Sequence, residues 1–340
     1  MKKSLVLLCA GLLVLFSYSS SFGAEDHSTI RYNLRLGSAS TGSTNQVLLT
    51  GVATVVSRHS NLRVSAITTQ GSTENVRLLQ DGELELASIN GDAAYAAFKG
   101  TGHFTPGSLD GMSQLFSTFS NQGVFVTLRD SGIERIEDLA GRRISAGPAG
   151  SGAADLAFSM LYHGYGMWDN EMNLQHMSFT DGGEALRDGT IDAMQAHLNS
   201  GVPAPFLAEL DVVSSNLRIL GLSDEAMNNI QREQPFQRPA VLNRDTAELR
   251  NLREDEELIA MENFAVIYAR DDIPVEVVYA FVRIVMENAE ELDVFHRQGT
   301  SIRIQYAMRG LLPEIPVHPG AAMFFKEAGV WNDAFHTTGQ

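Results

Sequence analysis

Lysine is nearly missing from this chain: four occur in 340 residues, at positions 2, 3, 99 and 326. Cysteine occurs once, at Cys9. Basic side chains number 25 against 41 acidic ones, for a formal net charge of -16. Nucleic acid and anionic membrane surfaces both reward a basic patch, so neither is expected as a partner. Apart from one run near the N-terminus, no stretch of about 18 apolar residues exists to span a bilayer. Catalytic signatures are missing as well. No HExxH or HxH spacing joins the nine histidines, and no EF-hand loop is present. Gly150-Ser151-Gly152 has alanine on both sides and is no nucleophile elbow. The glycine-rich stretch 147–152 lacks both the lysine of a P-loop and the spacing of a dinucleotide fingerprint. Acidic neighbours such as Glu83 and Glu85 fall on a turn and a strand edge and read as solvated. The expectation is no catalytic residue, no metal site and no cofactor.

What is there begins with a targeting pattern. Lys2 and Lys3 precede an apolar run, Leu5 to Phe16, then a serine-rich stretch and small residues at Ser21 and Gly23. This reads as a secretory signal peptide over residues 1–23, cleaved near Gly23 or Ala24, with no stable membrane insertion afterwards. Cys9 is discarded with it. The mature chain then has no thiol, which excludes disulfides, thiolate catalysis and cysteine-based zinc sites and suits an oxidising compartment.

The remainder alternates strand-like and helix-like segments. Strands are expected at 31–36, 62–67, 84–89, 124–128, 143–146, 191–196, 217–220 and 264–269. Helical spacing follows most of them, most clearly at 275–292, where Pro274 suits a helix start. Residues 223–257 are polar and read as a surface excursion. Repeated βα units imply an α/β fold of two lobes, each a mostly parallel sheet flanked by helices. The very apolar segments 124–128 and 264–269 are candidate interlobe connections. They place lobe one at 24–123 plus 270–340 and lobe two at 124–269.

Three strand ends run into small, hydroxyl-rich turns that open helices: 37–44, 68–75 and 145–152. A helix N-terminus carries unpaired N–H groups and a partial positive charge. Glycine lets a ligand approach the backbone, and serine and threonine add donors, so a carboxylate fits there without lysine. Each turn taken singly could equally be a helix cap. Ligands of open α/β sheets bind outside the carboxyl ends of strands, where all three turns lie. Asn90 and Asp92, and Gln195, His197 and Asn199, add polar groups at the same edges.

These turns, in this order, resemble the solute-binding proteins of TRAP transporters of the TAXI family. Thr68 to Leu79 is similar to that family's TTxGSxENxRLL segment, and Leu36-Gly37-Ser38-Ala39-Ser40-Thr41-Gly42-Ser43-Thr44 is similar to its first turn. Ala185 to Ala193, Gly201-Val202-Pro203 and His318-Pro319-Gly320-Ala321 extend the series. The resemblance implies a periplasmic binding protein of the type II, venus-flytrap class. Such a protein captures a small organic anion, glutamate or a related dicarboxylate or keto acid, and delivers it to a TRAP membrane permease. Carried over position by position, the ligand-binding candidates are Ser40, Thr41, Gly42, Ser43, Thr44, Gln70, Ser72, Asn75, Asn90, Gly150, Ser151 and Gly152; Gln195, His197 and Asn199 join them from the reading of the strand edges. The chain departs from the pattern at Asn45 and Gln46, where many members carry a tyrosine pair, and at Gln195, His197 and Asn199, commonly apolar or aromatic. These changes make the pocket more polar. A ligand sensor docking on a membrane receptor, and an enzyme on the same fold, remain the alternatives.

Overall fold

The computed structural model describes residues 30–102, 104–167 and 173–339. The expected signal segment and its cysteine lie outside these residues.

The first lobe opens with three βα units. Strand β1 (Asn33–Gly37) points Leu34 and Leu36 inward and leads through the first hydroxyl-rich turn to α1 (Thr44–His59). β2 (Arg63–Ile67), α2 (Ser72–Gln80), β3 (Leu86–Asn90) and α3 (Gly91–Lys99) follow, and β1 pairs in parallel with both β2 and β3. Leu48, Val52 and Val55 bury the inner face of α1 at helical spacing.

The chain then enters β4 (Met112–Leu128), a 17-residue strand. Its first half joins the first lobe and its second half the other. The chain continues through β5 (Arg143–Ser145), α4 (Gly152–Phe158), β6 (Asn173–Gln175), α5 (Phe179–Arg187), β7 (Ala193–Asn199), β8 (Val202–Pro203), α6 (Pro205–Val213), β9 (Leu217–Leu220), α7 (Asp224–Glu233) and β10 (Arg238–Leu242). α4 runs on through a π-turn to Gly164. β11 (Leu258–Arg270) returns the chain, and α8 (Val275–Glu287) and α9 (Pro319–Glu327) finish the first lobe.

The main path of the sheet reads β2-β1-β3-β11-β4-β7-β5-β6. Parallel trios, β2-β1-β3 and β7-β5-β6, stand at either end, and β11 and β4 run antiparallel between them. β4 and β11 pair from Met112 with Arg270 to Asn121 with Asn263, with register shifts at Phe264/Val266 and Ile267/Tyr268. Beyond that they separate: β4 continues beside β7 and β9, β11 beside β10. The core divides accordingly. One cluster gathers buried residues from 34–119 and 265–325, and two others draw theirs from 124–261. Ala265 to Ala269 pack in the first cluster.

β4 is longer than the expected 124–128 because its first half hides polar groups that break the apolar pattern. Gln114 donates to the carbonyls of Leu312 and Ile315 at 2.9 and 2.7 Å and accepts from the N–H of Leu312 at 2.8 Å. Ser117 accepts from the N–H of Gly310 at 2.8 Å, and Thr118 donates to the carbonyl of Ala265 at 3.1 Å. Buried polar groups are tolerated when paired, and here they fasten the C-terminal segment across the strand. The polar stretch 223–257 is likewise more ordered than expected, since it contains α7 and β10.

Candidate ligand cleft

Where the lobes meet, helix starts from both sides converge on one cavity. From the first lobe come Ser40, Ser43, Thr44 and Asn45 at α1, Gln70, Gly71 and Ser72 at α2, and Asn90 before α3; Ser151, Gly152 and Ala153 at α4 face them from the second. Phe119, Leu156, Phe179 and His197 supply most of the apolar wall, and Asn121 and Asn199 complete it. The cavity volume is about 60 Å³. That suits a ligand of few heavy atoms.

Each helix start is set by its local sequence. Ser43 caps α1, its hydroxyl accepting from the N–H of Gln46 at 3.2 Å. The first-turn N–H groups of Thr44 and Asn45 have no acceptor among the described residues, and no acidic side chain lies in that turn. Gly71 opens α2 with φ +127°, a conformation side chains rarely tolerate; a Cβ there would also lie 3.3 Å from Ser151 Cα of the facing lobe. Glu74 accepts from the N–H of Gln70 at 2.6 Å, and Ser72 from the N–H of Asn90 at 3.0 Å. Ser151 caps α4, accepting from the N–H of Ala154 at 3.2 Å while donating to the Pro148 carbonyl at 2.6 Å.

Hydrogen bonds cross the seam. Asn199 donates to Asn121 at 3.0 Å and Asn121 to Asn90 at 3.2 Å, a chain of amides from β7 over β4 to α3. Thr73 on α2 donates to Asp155 on α4 at 3.1 Å. The lobes therefore stand closed on each other.

Among the described residues, the cavity wall contains no aspartate, glutamate, lysine or arginine. Its one titratable group is His197, whose edge packs 5.3 Å from the rings of both Phe179 and Phe206, themselves stacked at 4.3 Å. Desolvation pulls the imidazole down to about 4, so it is neutral at pH 7. Its folded value lies below the ordinary 6.5, so its contribution to stability is complete above pH 6.5 and is lost as pH falls towards 4. A His197→Gln variant is expected to escape that loss, which approaches about 3 kcal/mol at full slope. Denaturant titrations of both proteins at pH 7 and pH 4.5 measure it; equal losses would show that His197 is not desolvated.

Asp92, in the first turn of α3, lies just behind the wall and is almost completely buried. Burial, and then the negative charge of Asp155 across the seam, raise its carboxyl well above the usual range. The N–H groups of Ala93 and Asp92 and the amide of Asn263, at 3.1 Å, offset this only in part.

The expected residues divide by this geometry. Ser40, Ser43, Thr44, Gln70, Ser72, Asn90, Ser151, Gly152, His197 and Asn199 line the cavity. Thr41 and Gly42 are exposed on the far side of the α1 turn, and Gly150 shapes the turn before Ser151 without lining the cavity. Gln195 is fully buried beneath it on β7. Asn75 is a brace: fully buried, it donates to the carbonyls of Ser38 and Ser88 at 2.9 and 2.7 Å and ties the first turn to β3. Asn75→Leu is expected to cost about 2 kcal/mol or more by orphaning two buried carbonyls. Equilibrium unfolding in urea checks this, and an unchanged midpoint would remove the brace.

Sequence reasoning reached Asn45 only as a departure from the family pattern and missed Phe119, Asn121, Leu156 and Phe179 as cavity residues. Asn121 carried no distinct signal, being one polar residue among several in β4, and Phe179 carried none, since only the fold brings α5 to β7. No group of His, Cys, Asp and Glu that could hold a metal occurs among the described residues, and none of the helices described is long and apolar enough to cross a membrane.

Residues 36–329 match the sequence family described as NMT1-like. Among solved structures, the chain is similar to the substrate-binding protein of an amino acid ABC transporter, at 11% identity and a TM-score of 0.46, covering 78% of this chain and 97% of that one. It is similar to the periplasmic aliphatic sulphonate binding protein SsuA from Escherichia coli, at 15% identity and a TM-score of 0.47, covering 86% and 78%. An ancestral arginine-binding protein bound to arginine matches at 14% identity and a TM-score of 0.48, covering 79% and 98%.

Proposed function

The chain belongs to the NMT1-like family, and we propose that it is a periplasmic solute-binding protein that captures a small organic anion between its lobes and hands it to a membrane permease. The observation that carries this is the convergence of helix starts from both lobes on one cavity whose wall, among the described residues, has no cationic side chain. The unpaired N–H groups of Thr44 and Asn45, with the hydroxyls of Ser40 and Ser72, suit a carboxylate. The partial positive charge of the helix ends supplies the attraction a lysine would otherwise provide.

Binding to both faces favours the closed arrangement, and a permease can then distinguish loaded from empty protein by shape. The lobe division we propose runs through β4 near Gly123 and through β11 near Asn263, the two strands that join the cores. A TRAP-type permease is the partner implied by the sequence resemblance, with glutamate, dicarboxylates and keto acids among the anions to try.

A thermal-shift screen of the secreted chain against amino acids, dicarboxylates, hydroxy and keto acids, and sugars tests the reading. A ligand at 100 times its dissociation constant adds about 2.7 kcal/mol, which raises the melting point by several degrees. A shift with acids and none with neutral sugars is expected. Sugars alone giving the shift would overturn the anion site.

A further inference from the structure

We propose that the cleft selects a hydroxy monocarboxylate, an acid with one negative charge, no ammonium group and a hydroxyl near the carboxylate. This rests on the anion reading above and narrows it.

Three features of the wall carry the inference. The first is its charge. α1 and α2 each turn an N-terminus to the cavity, and α1 has no acidic residue in its first turn to neutralise it. One carboxylate is matched there. A second would meet the start of α4, whose first turn already carries the acidic Asp155, or Phe119, Leu156, Phe179 and amides, with no cation among the described residues to meet it.

The second feature is the lack of a counter-charge for an amine. An α-amino acid would place its ammonium within a few ångströms of the same helix ends, whose partial charge repels it. Among the described residues no carboxylate lines the cavity. Asp155, next in sequence to the lining Leu156, does not line the cavity and accepts from Thr73 at 3.1 Å; Asp92, just past Asn90, does not line it either, and one of its oxygens is already taken by Asn263. Burying an unpaired ammonium is costly even where neutral acceptors surround it.

The third feature is a surplus of acceptors. Asn45 spends its amide N–H on Ser88 at 2.8 Å, and Asn199 spends its own on Asn121 at 3.0 Å. The side-chain oxygens of both are buried without a partner, and both residues line the cavity. Asn199 itself is 2% exposed. A hydroxyl on the ligand supplies the donor these oxygens need; a keto group does not.

Isothermal titration of the full secreted chain, washed free of ligand in denaturant and refolded to its original circular dichroism, tests this. The probes are both enantiomers of lactate and 2-hydroxyisovalerate, with alanine and valine as amino counterparts, pyruvate as the keto counterpart, and malate and glutamate as dicarboxylates. A hydroxy monocarboxylate is expected to bind best, with its amino counterpart about 100-fold weaker or more. Pyruvate and malate should also be weaker than lactate. Alanine, valine, glutamate, malate or pyruvate binding as tightly as the best hydroxy acid would overturn the selectivity and leave the anion reading standing. No heat with any acid would overturn the anion reading and this inference with it.

Discussion

Replacing Gly152 with alanine is expected to weaken ligand binding by up to about 100-fold while leaving the fold intact. The added Cβ would lie 2.2 Å from Asn90 Nδ2 and 3.2 Å from Ser72 Oγ, both on the opposite lobe. Asn90 cannot move freely, because its side-chain oxygen accepts from Asn121. Overpacking of this kind costs about 1–3 kcal/mol, and it acts only when the lobes are shut. In an open arrangement alanine at the first position of α4 is neutral or slightly favourable. Calorimetric titration and thermal unfolding of the variant separate the two effects. Unchanged affinity would mean that the seam between α3 and α4 is not part of the bound state.

The second large effect belongs to Asp92. Its carboxyl is raised in the folded protein, so between the unfolded value of about 3.9 and the raised one the native state holds a proton that the unfolded chain has released. Stability is complete below the unfolded value and falls as pH rises, by about 1.4 kcal/mol per unit, until the native group ionises. His197 acts in the opposite sense between pH 4 and 6.5, so the whole-protein curve hides both. The difference between wild type and Asp92→Asn isolates the acid. The variant is expected to be the more stable protein at pH 8, with the gap closing towards pH 4. A variant less stable than wild type at pH 8 would show that Asp92 is ionised and favourably paired. Because Asp155 faces it across the seam, the same substitution should also ease closure at neutral pH.

Much of this architecture was legible because its determinants are local. β1, β2 and β3 alternate or run apolar within short spans, Ser43 and Ser151 mark helix starts through side-chain caps that act over three residues, and Gly71 opens α2 through its backbone conformation. Their hydroxyl-rich turns therefore revealed the cavity's rim. What escaped depends on distant partners. The first half of β4 reads as loop because Ser113, Gln114 and Ser117 break the apolar run, and only the C-terminal segment that pairs with them makes their burial tolerable. Asn75 stands in the same motif as Ser72, yet one helical face separates a brace from a cavity residue. Gln195 and His197 share one side of β7, but the ring pair of Phe179 and Phe206 brings only His197 to the wall. Motif membership fixed the neighbourhood, and tertiary contacts fixed the roles.

The central claim is that a small acid sits between the lobes with its carboxylate on the helix starts of the first. A crystal structure of the protein with the acid that gives the largest thermal shift tests it most directly. The expected result is a closed protein with the carboxylate oxygens within hydrogen-bond distance of the Thr44 and Asn45 N–H groups and the Ser72 hydroxyl, and the remainder of the ligand between Phe119, Phe179 and His197. An acid bound elsewhere, or in the cleft with its carboxylate turned from α1 and α2 towards the aromatic wall, would contradict the account.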